Sequence, residues 1–252
     1  MLNTNVITIE RPTTPHRAQA TPACSSCSLS KICLPLGLDR TELERMDDIV
    51  TRSPVAHEGD HLFRVGDSFK AVYAVRSGSY KSYTVDSEGR EHVLGFHLPG
   101  EVMGLDAIYS EKHMCNAVAL DTAAVCILPY DELSTLAGKL DGLRAQMFRL
   151  MSKDIADTAA LAGDFTAEER IASFLLDLSR RFHARGFSAS EFNLNMSRRD
   201  IANYLRLAPE TVSRVLARLE KSRLIAVERR EMRLLDIPRL QELGRCMGEM
   251  HA

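Results

Sequence analysis

The chain has 252 residues, 45% hydrophobic and 26% charged, enough for one large globular domain or two small ones. Its net charge of −2 is unevenly spread. Residues 1–164 carry 16 Lys and Arg against 22 Asp and Glu, whereas residues 165–235 carry 14 against 9, the balance of a polyanion-binding module joined to an acidic partner domain. No apolar run reaches the roughly 18 residues of a membrane span, and no Gly-rich phosphate loop, G-x-S-x-G or H-E-x-x-H motif is present; the sequence argues against a membrane protein and against an enzyme.

Residues 1–23 hold Pro12 and Pro15, lack the apolar segment of a secretory signal and are expected to be disordered. A cytoplasmic location follows as an expectation, and there clustered thiols stay reduced and serve metal binding or redox chemistry. "CSSCSLSKIC" then places Cys24, Cys27 and Cys33 within ten residues. An iron–sulfur cluster wants four thiolates, and Cys115 and Cys126 are both candidates for the fourth. Cys246 reads as a small filler or a free surface thiol. The spacing alone admits a cluster, a zinc site, a regulatory disulfide or unrelated thiols.

From about His57 to Leu128, short β-branched and aromatic runs alternate with glycines at 66, 78, 89, 95, 100 and 104, the pattern of an antiparallel barrel or roll. A long helix is expected next. Leu136, Leu140, Leu143, Met147 and Leu150 form one apolar stripe; Phe148, Met151 and Ile155 form a second that continues through Thr158 and Ala162. Two stripes need two burial partners: the barrel for one, and the same helix of a second subunit for the other.

Thr166 opens a capping box with Glu169, and Ile171, Phe174, Leu175, Leu178 and Phe182 make the core face of the helix, which Gly186 stops. "MSRRDIANYLRLAPETVSRVLARLEKSRLI" then predicts a helix-turn-helix. Ser197 caps a short helix, Arg206–Ala208 make a tight turn, and Pro209 starts a second helix with Glu210 in its first turn. Val212, Val215, Leu216 and Leu219 face inward, leaving Glu210, Thr211, Ser213, Arg214, Arg218 and Lys221 outward. Arg214 can donate a bidentate pair to guanine, Glu210 can accept from a cytosine amine, and Ser213 suits a base edge or a phosphate. "LIAVERREMRLLDI" reads as a two-stranded wing turning at Arg229–Glu231. Arg206 stands where such turns place glycine, at a cost of about 1 kcal/mol if φ is positive.

Roll, long helix and winged helix-turn-helix, in that order, resemble the CRP–FNR superfamily of bacterial transcription regulators, and most closely the FNR family. "CSSCSLSKICLPLGL", "YAVRSGSYKSYTV", "GFHLPGEVMGLDAI", "FRLMSKDI", "AEERIASFL" and "ETVSRVLARL" carry the match. It implies an α+β fold: residues 24–135 as cysteine arm and β-roll, 136–163 as dimerisation helix, 164–252 as winged helix-turn-helix. It also implies an oxygen sensor with one [4Fe–4S] cluster per subunit on Cys24, Cys27, Cys33 and Cys126, the last chosen because "AVCILPYDEL" matches the family's distal-ligand segment. A homodimer would form along Arg144, Phe148, Met151, Ile155 and Thr158. It would bind double-stranded DNA resembling TTGAT–N4–ATCAA through Arg198, Glu210, Thr211, Ser213, Arg214 and Arg218, and oxygen would convert the cluster to a [2Fe–2S] form and switch binding off.

The loop Asp86, Ser87, Glu88, Gly89, Arg90 and Glu91 resembles a surface that contacts RNA polymerase; Ser110–Cys115 and Arg181–Gly186 resemble a second. Where relatives that bind cyclic AMP hold its phosphate with an arginine, this chain has Cys115, so no cyclic nucleotide is expected. The alternative is a regulator of the same fold gated by zinc, thiol redox or nitric oxide.

Overall fold

The computed structural model describes residues 23–248; the leader expected to be disordered and the side chain of Cys246 lie outside the described residues. The chain forms two compact units, one built from residues up to Thr84 with Gly95–Leu150, the other from Val85–Leu94 with the residues from Met151 on.

The first unit opens with a 3₁₀ turn, Cys24–Ser26, and helix α1, Arg40–Ile49. Asp39 and Glu42 cap α1 reciprocally, each carboxylate accepting the other's backbone N–H at 2.8 and 2.9 Å. Eight strands follow: β1 (Thr51–Arg52), β2 (His61–Phe63), β3 (Ala71–Ser77), β4 (Tyr80–Val85), β5 (Glu91–His97), β6 (Val102–Met103), β7 (Asn116–Ala119) and β8 (Ala124–Pro129). They make two four-stranded sheets, ordered β1-β8-β3-β6 and β2-β7-β4-β5. Gly78 turns β3 into β4 at φ 70°, and a Cβ there would stand 2.5 Å from the Thr122 carbonyl oxygen, so only glycine fits.

Strand period decides what each residue of the first sheet faces. On β3, Tyr73 and Val75 point into the core between the sheets, while Val72 and Ala74 point into a second core beneath the helices. On β8, Val125 and Ile127 share the first core and Leu128 the second, with Cys126 packed against that second core.

The long helix begins later than expected. Helix α2 spans Tyr130–Ala137 and α3 spans Asp141–Ala162, with Gly138, Lys139 and Leu140 between. Glycine is a poor helix former and Asp141 favours a new first turn. The first stripe still buries as one surface, because Leu136, Leu140, Leu143 and Met147 enter the same core. Among the described residues the second stripe stays uncovered at Phe148, 63% exposed, and Ile155, 72% exposed.

The second unit is built on α4 (Ala167–Ala184), strand β9 (Glu191–Asn193), α5 (Arg198–Tyr204), α6 (Pro209–Lys221), β10 (Ile225–Glu228), β11 (Glu231–Leu234) and α7 (Ile237–Gly248). The sheet order is β10-β11-β9, so the wing has a third strand that the sequence reading did not anticipate. The Thr166–Glu169 capping box forms, and Arg170 donates to the carbonyls of Leu161, Gly163 and Phe165 at 3.2, 2.7 and 3.1 Å, satisfying orphan acceptors at the end of α3. Within this unit Asn203 closes on the β4–β5 hairpin, its Oδ1 accepting from Val93 N–H at 2.8 Å and its Nδ2 donating to the Glu91 carbonyl at 2.6 Å.

Three helices end in the same left-handed cap. After α4, Gly186 (φ 80°) and Phe187 donate to His183 and Phe182. After α5, Arg206 (φ 56°) and Leu207 donate to Asn203 and Ala202, and after α6, Arg223 (φ 57°) and Leu224 donate to Glu220 and Leu219. These are Schellman caps, two of them with arginine at the position glycine occupies without strain.

Candidate functional site

The arm carrying three thiols is a series of tight turns. Cys27 N–H donates to the Cys24 carbonyl at 3.2 Å, Ser30 N–H to that of Cys27 at 3.1 Å, and Cys33 N–H to that of Leu29 at 2.9 Å. β8 presents the fourth thiol from a rigid rung: Cys126 stands opposite Arg52 on β1 and opposite Ala74 on β3. Cys24, Cys27, Cys33 and Cys126 line one cavity, whose wall otherwise consists largely of apolar side chains such as Leu34, Met46, Val50 and Leu128, with Arg76 at it.

Burial dominates the chemistry of these thiols. It pushes Cys24 up to about 12, helped by the charge and hydrogen bond of Asp47, and pushes Cys33 up to about 12 against a hydrogen bond from the Leu34 backbone. Cys126 is raised too, by burial, with Arg52 and Arg76 opposing. The thiols also sense one another: Cys24 couples to Cys33 and Cys126, and Cys27 to Cys33 and Cys126. Without a metal, Cys24, Cys33 and Cys126 are protonated at neutral pH, so a metal they take must displace protons.

The other candidate for the fourth thiol lies elsewhere. Cys115 is buried in the core between the two sheets and donates to the Asp106 carboxylate at 3.6 Å, and burial with that carboxylate raises it to about 12. The donor set at the cavity suits an iron–sulfur cluster, which takes four thiolates in a low-polarity pocket. Among the described residues, no group of three or more His, Cys, Asp and Glu side chains stands ready to hold a single metal ion. Sequence reasoning missed Asp47, Arg52 and Arg76 around the thiols; their signal is spatial, because pairing of β1 and β3 with β8 brings the two arginines there and the packing of α1 brings Asp47.

The helix-turn-helix presents a second candidate surface. Ser197 and Asp200 form a capping box at the start of α5, leaving Arg198 exposed. Pro209 begins α6; Val212, Val215, Leu216 and Leu219 are buried, and Glu210, Ser213, Arg214 and Arg218 are exposed. Thr211 is half-buried and accepts from Arg214 Nη2 at 3.2 Å, which aims that guanidinium along the helix. Arg218 is engaged with Glu168 of α4 at 2.7 Å. The wing turn carries Arg229 and Arg230, with Arg229 at φ 55°.

The loop of the β4–β5 hairpin is organised by one carboxylate. Asp86 accepts from the N–H of Glu88 and Arg90 at 2.9 and 3.0 Å, from Arg90 Nε at 2.8 Å, and pairs with His92 at 2.9 Å. The His92 contact and then those from Arg90 hold its carboxyl well below the usual carboxylate range. Ser87, Glu88, Gly89, Arg90 and Glu91 are left exposed at the tip. On α3, Arg144 pairs with Asp141 at 2.7 Å and Thr158 Oγ1 donates to the Asp154 carbonyl at 2.8 Å; Met151 is half-buried between exposed Phe148 and Ile155. Among the described residues no helix is long and apolar enough to cross a membrane.

Family models match two segments: a cyclic nucleotide-binding domain over residues 55–139 and a Crp-like helix-turn-helix domain over residues 169–243. The transcriptional activator protein Anr of Pseudomonas protegens is 47% identical over 223 residues, covering 87% of this chain and 91% of that protein. The fumarate and nitrate reduction regulatory protein of Escherichia coli is 47% identical over 208 residues, covering 81% and 83%. The solved structure of FixK2 from Bradyrhizobium japonicum superposes with a TM-score of 0.70 at 30% identity, covering 77% of this chain and 97% of that one.

Proposed function

Because this chain belongs to the FNR family of CRP–FNR transcriptional regulators, we propose that it activates transcription in response to low oxygen, as a homodimer holding one [4Fe–4S] cluster per subunit and binding a TTGAT–N4–ATCAA-like palindrome. The observation that carries the reading is the single cavity shared by Cys24, Cys27, Cys33 and Cys126. These four thiolates would hold the cluster, which when bound supplies the reactivity toward oxygen.

The chain's own residues supply the rest of the device. Three ligands on an arm and one on β8 tie residues 24–33 to the core under α1, α2 and α3, so loss of the metal removes a fastening of the arm. The exposed stripe of Phe148 and Ile155 on α3 supports a helix-to-helix seam in the dimer. A symmetric pair of α6 helices would meet half-sites one turn of DNA apart. There Arg214 and Glu210 read base edges, Ser213 a base edge or a phosphate, and Arg198 and Thr211 contact phosphates. The ordered tip Asp86–Glu91 would face RNA polymerase.

The cyclic-nucleotide-binding fold is used without its ligand. At the position of the phosphate-binding arginine, buried Cys115 and the backbone N–H of Met114, at 3.4 Å, both turn toward the Asp106 carboxylate, an anion where an anionic phosphate would have to sit.

The test is iron and acid-labile sulfide per chain in protein purified without air and again after exposure, with DNA binding followed in parallel. About four of each, falling on exposure as binding disappears, is the expected result. Zinc in place of iron, or binding indifferent to air, overturns the oxygen switch.

A further inference from the structure

We propose that Asp47 is a positioning residue for the thiol site, its carboxylate pinning the cysteine arm to the strand pair that carries the fourth thiol. The inference rests on reading the four cysteines as one metal centre. The 3₁₀ turn Cys24–Ser26 has no side-chain cap of its own, since Ala23 occupies the capping position. Asp47 supplies one from 23 residues away, its Oδ1 accepting the Cys24 N–H at 2.7 Å. The same oxygen stands 3.9 Å from Arg52 Nη2, and the two side chains are only 21% and 24% exposed. Arg52 in turn is the residue directly across the β1–β8 pair from Cys126.

A continuous line of contacts therefore runs from the backbone of the first arm cysteine, through one sheltered carboxylate and one guanidinium, to the rung that holds the distal cysteine. The connection is short and stiff, because Asp47 lies in the last turn of α1, which ends at Ile49, and only Val50 separates that helix from β1. An acceptor that is charged and half-buried binds a backbone N–H more strongly than a neutral one. Ordering a free arm costs conformational entropy at every residue fixed; an arm already held in its turns presents its thiols with much of that cost met before the metal arrives. The site is in this sense organised by its protein neighbours as well as by its cofactor.

The experiment uses the full-length, reduced, metal-free protein and reads amide hydrogen exchange of the peptide spanning residues 24–33, with a β3 peptide as internal reference. Asp47→Ala removes the acceptor, and exchange in the arm should rise about tenfold or more while β3 is unchanged, as expected for a hydrogen bond to a charged group. Asp47→Asn keeps an acceptor oxygen and should restore most of the protection. Equal exchange in wild type and Asp47→Ala, or no rescue by Asp47→Asn, overturns the proposal. If Asp47→Ala loses protection in β3 as well, the wild-type Cys24 amide decides: exchange at the rate of an unstructured peptide overturns it, and slow exchange supports it. Iron and sulfide uptake measured alongside separates the two readings, because wild-type protein that takes up no iron removes the metal centre while the exchange result still judges Asp47.

Discussion

Arg218 on α6 donates to Glu168 in the first turn of α4 at 2.7 Å, so a cation on the outward face of α6 is held by the neighbouring helix rather than left to solvent. Glu168→Ala should free it. The plot of log affinity against log salt concentration is expected to steepen by about 0.9, the increment for one added phosphate contact. Stability should change by less than about 1 kcal/mol, since the pair is exposed. An unchanged salt slope would show that Arg218 does not reach the DNA.

Arg214 is exposed on α6 and presents its guanidinium next to Thr211. Arg214→Ala should weaken specific DNA binding by about 1–3 kcal/mol and relax base choice at one position of each half-site. A binding-site selection that returns the same preference at every position would sink the assignment.

Arg206 bears a left-handed strain that glycine would relieve, φ being 56° in the turn between α5 and α6. The gain of about 1–2 kcal/mol from removing a non-glycine residue from this region is partly offset by the greater freedom of glycine in the unfolded chain. Arg206→Gly is therefore expected to stabilise the second unit by roughly 0.5–1 kcal/mol, read as a higher urea midpoint with an unchanged m-value. A lower midpoint would mean the arginine side chain makes a compensating contact.

Cys126 and Cys115 separate cleanly by place. Cys126→Ser should abolish stable iron and sulfide retention, because it removes one of four thiols at the cavity. Cys115→Ser should leave loading intact and act on stability alone, because Cys115 is buried in the other core against Asp106. The reverse pattern of iron content would transfer the ligand role to Cys115.

The metal-free protein should lose stability at alkaline pH. Burial pushes Cys24 and Cys33 from 9.0 up to about 12, so the folded chain keeps protons that the unfolded chain releases. The stability these thiols contribute is whole below about pH 9 and drains away as the pH rises toward 12. Tyr73 and Tyr80, also raised to about 12, by burial and nearby carboxylates, act in the same sense from about pH 10. The urea midpoint of reduced, metal-free protein should fall between about pH 8 and about pH 10.5, and Cys33→Ser should flatten that fall; a midpoint that rises with pH contradicts the sign.

The sequence by itself determined what depends on neighbours within about one or two turns. Thr166 with Glu169 and Ser197 with Asp200 cap their helices, Pro209 starts α6, Gly186 ends the element before it, and the 3.6-residue period sorts Val212, Val215 and Leu219 inward from Arg214 and Arg218. In each case donor, acceptor and apolar face lie close along the chain, so local chemistry is sufficient. The resemblance of "AVCILPYDEL" already implied Cys126 as the fourth ligand, while the residues by themselves left Cys115 and Cys126 open; packing is what lines Cys126 on the cavity of Cys24, Cys27 and Cys33. Cys115 and Cys126 are eleven residues apart and equally eligible as thiols, but one points into the core between the sheets and the other to the face beneath the helices. For Cys126 that choice is made by strand register on β8, in which a shift of one residue exchanges the faces. The break at Gly138, the third strand of the wing, and the meeting of Asp47, Arg52 and Cys24 likewise belong to packing. They follow from which surfaces bury together across 23 residues or more, and no periodicity within a single element encodes that.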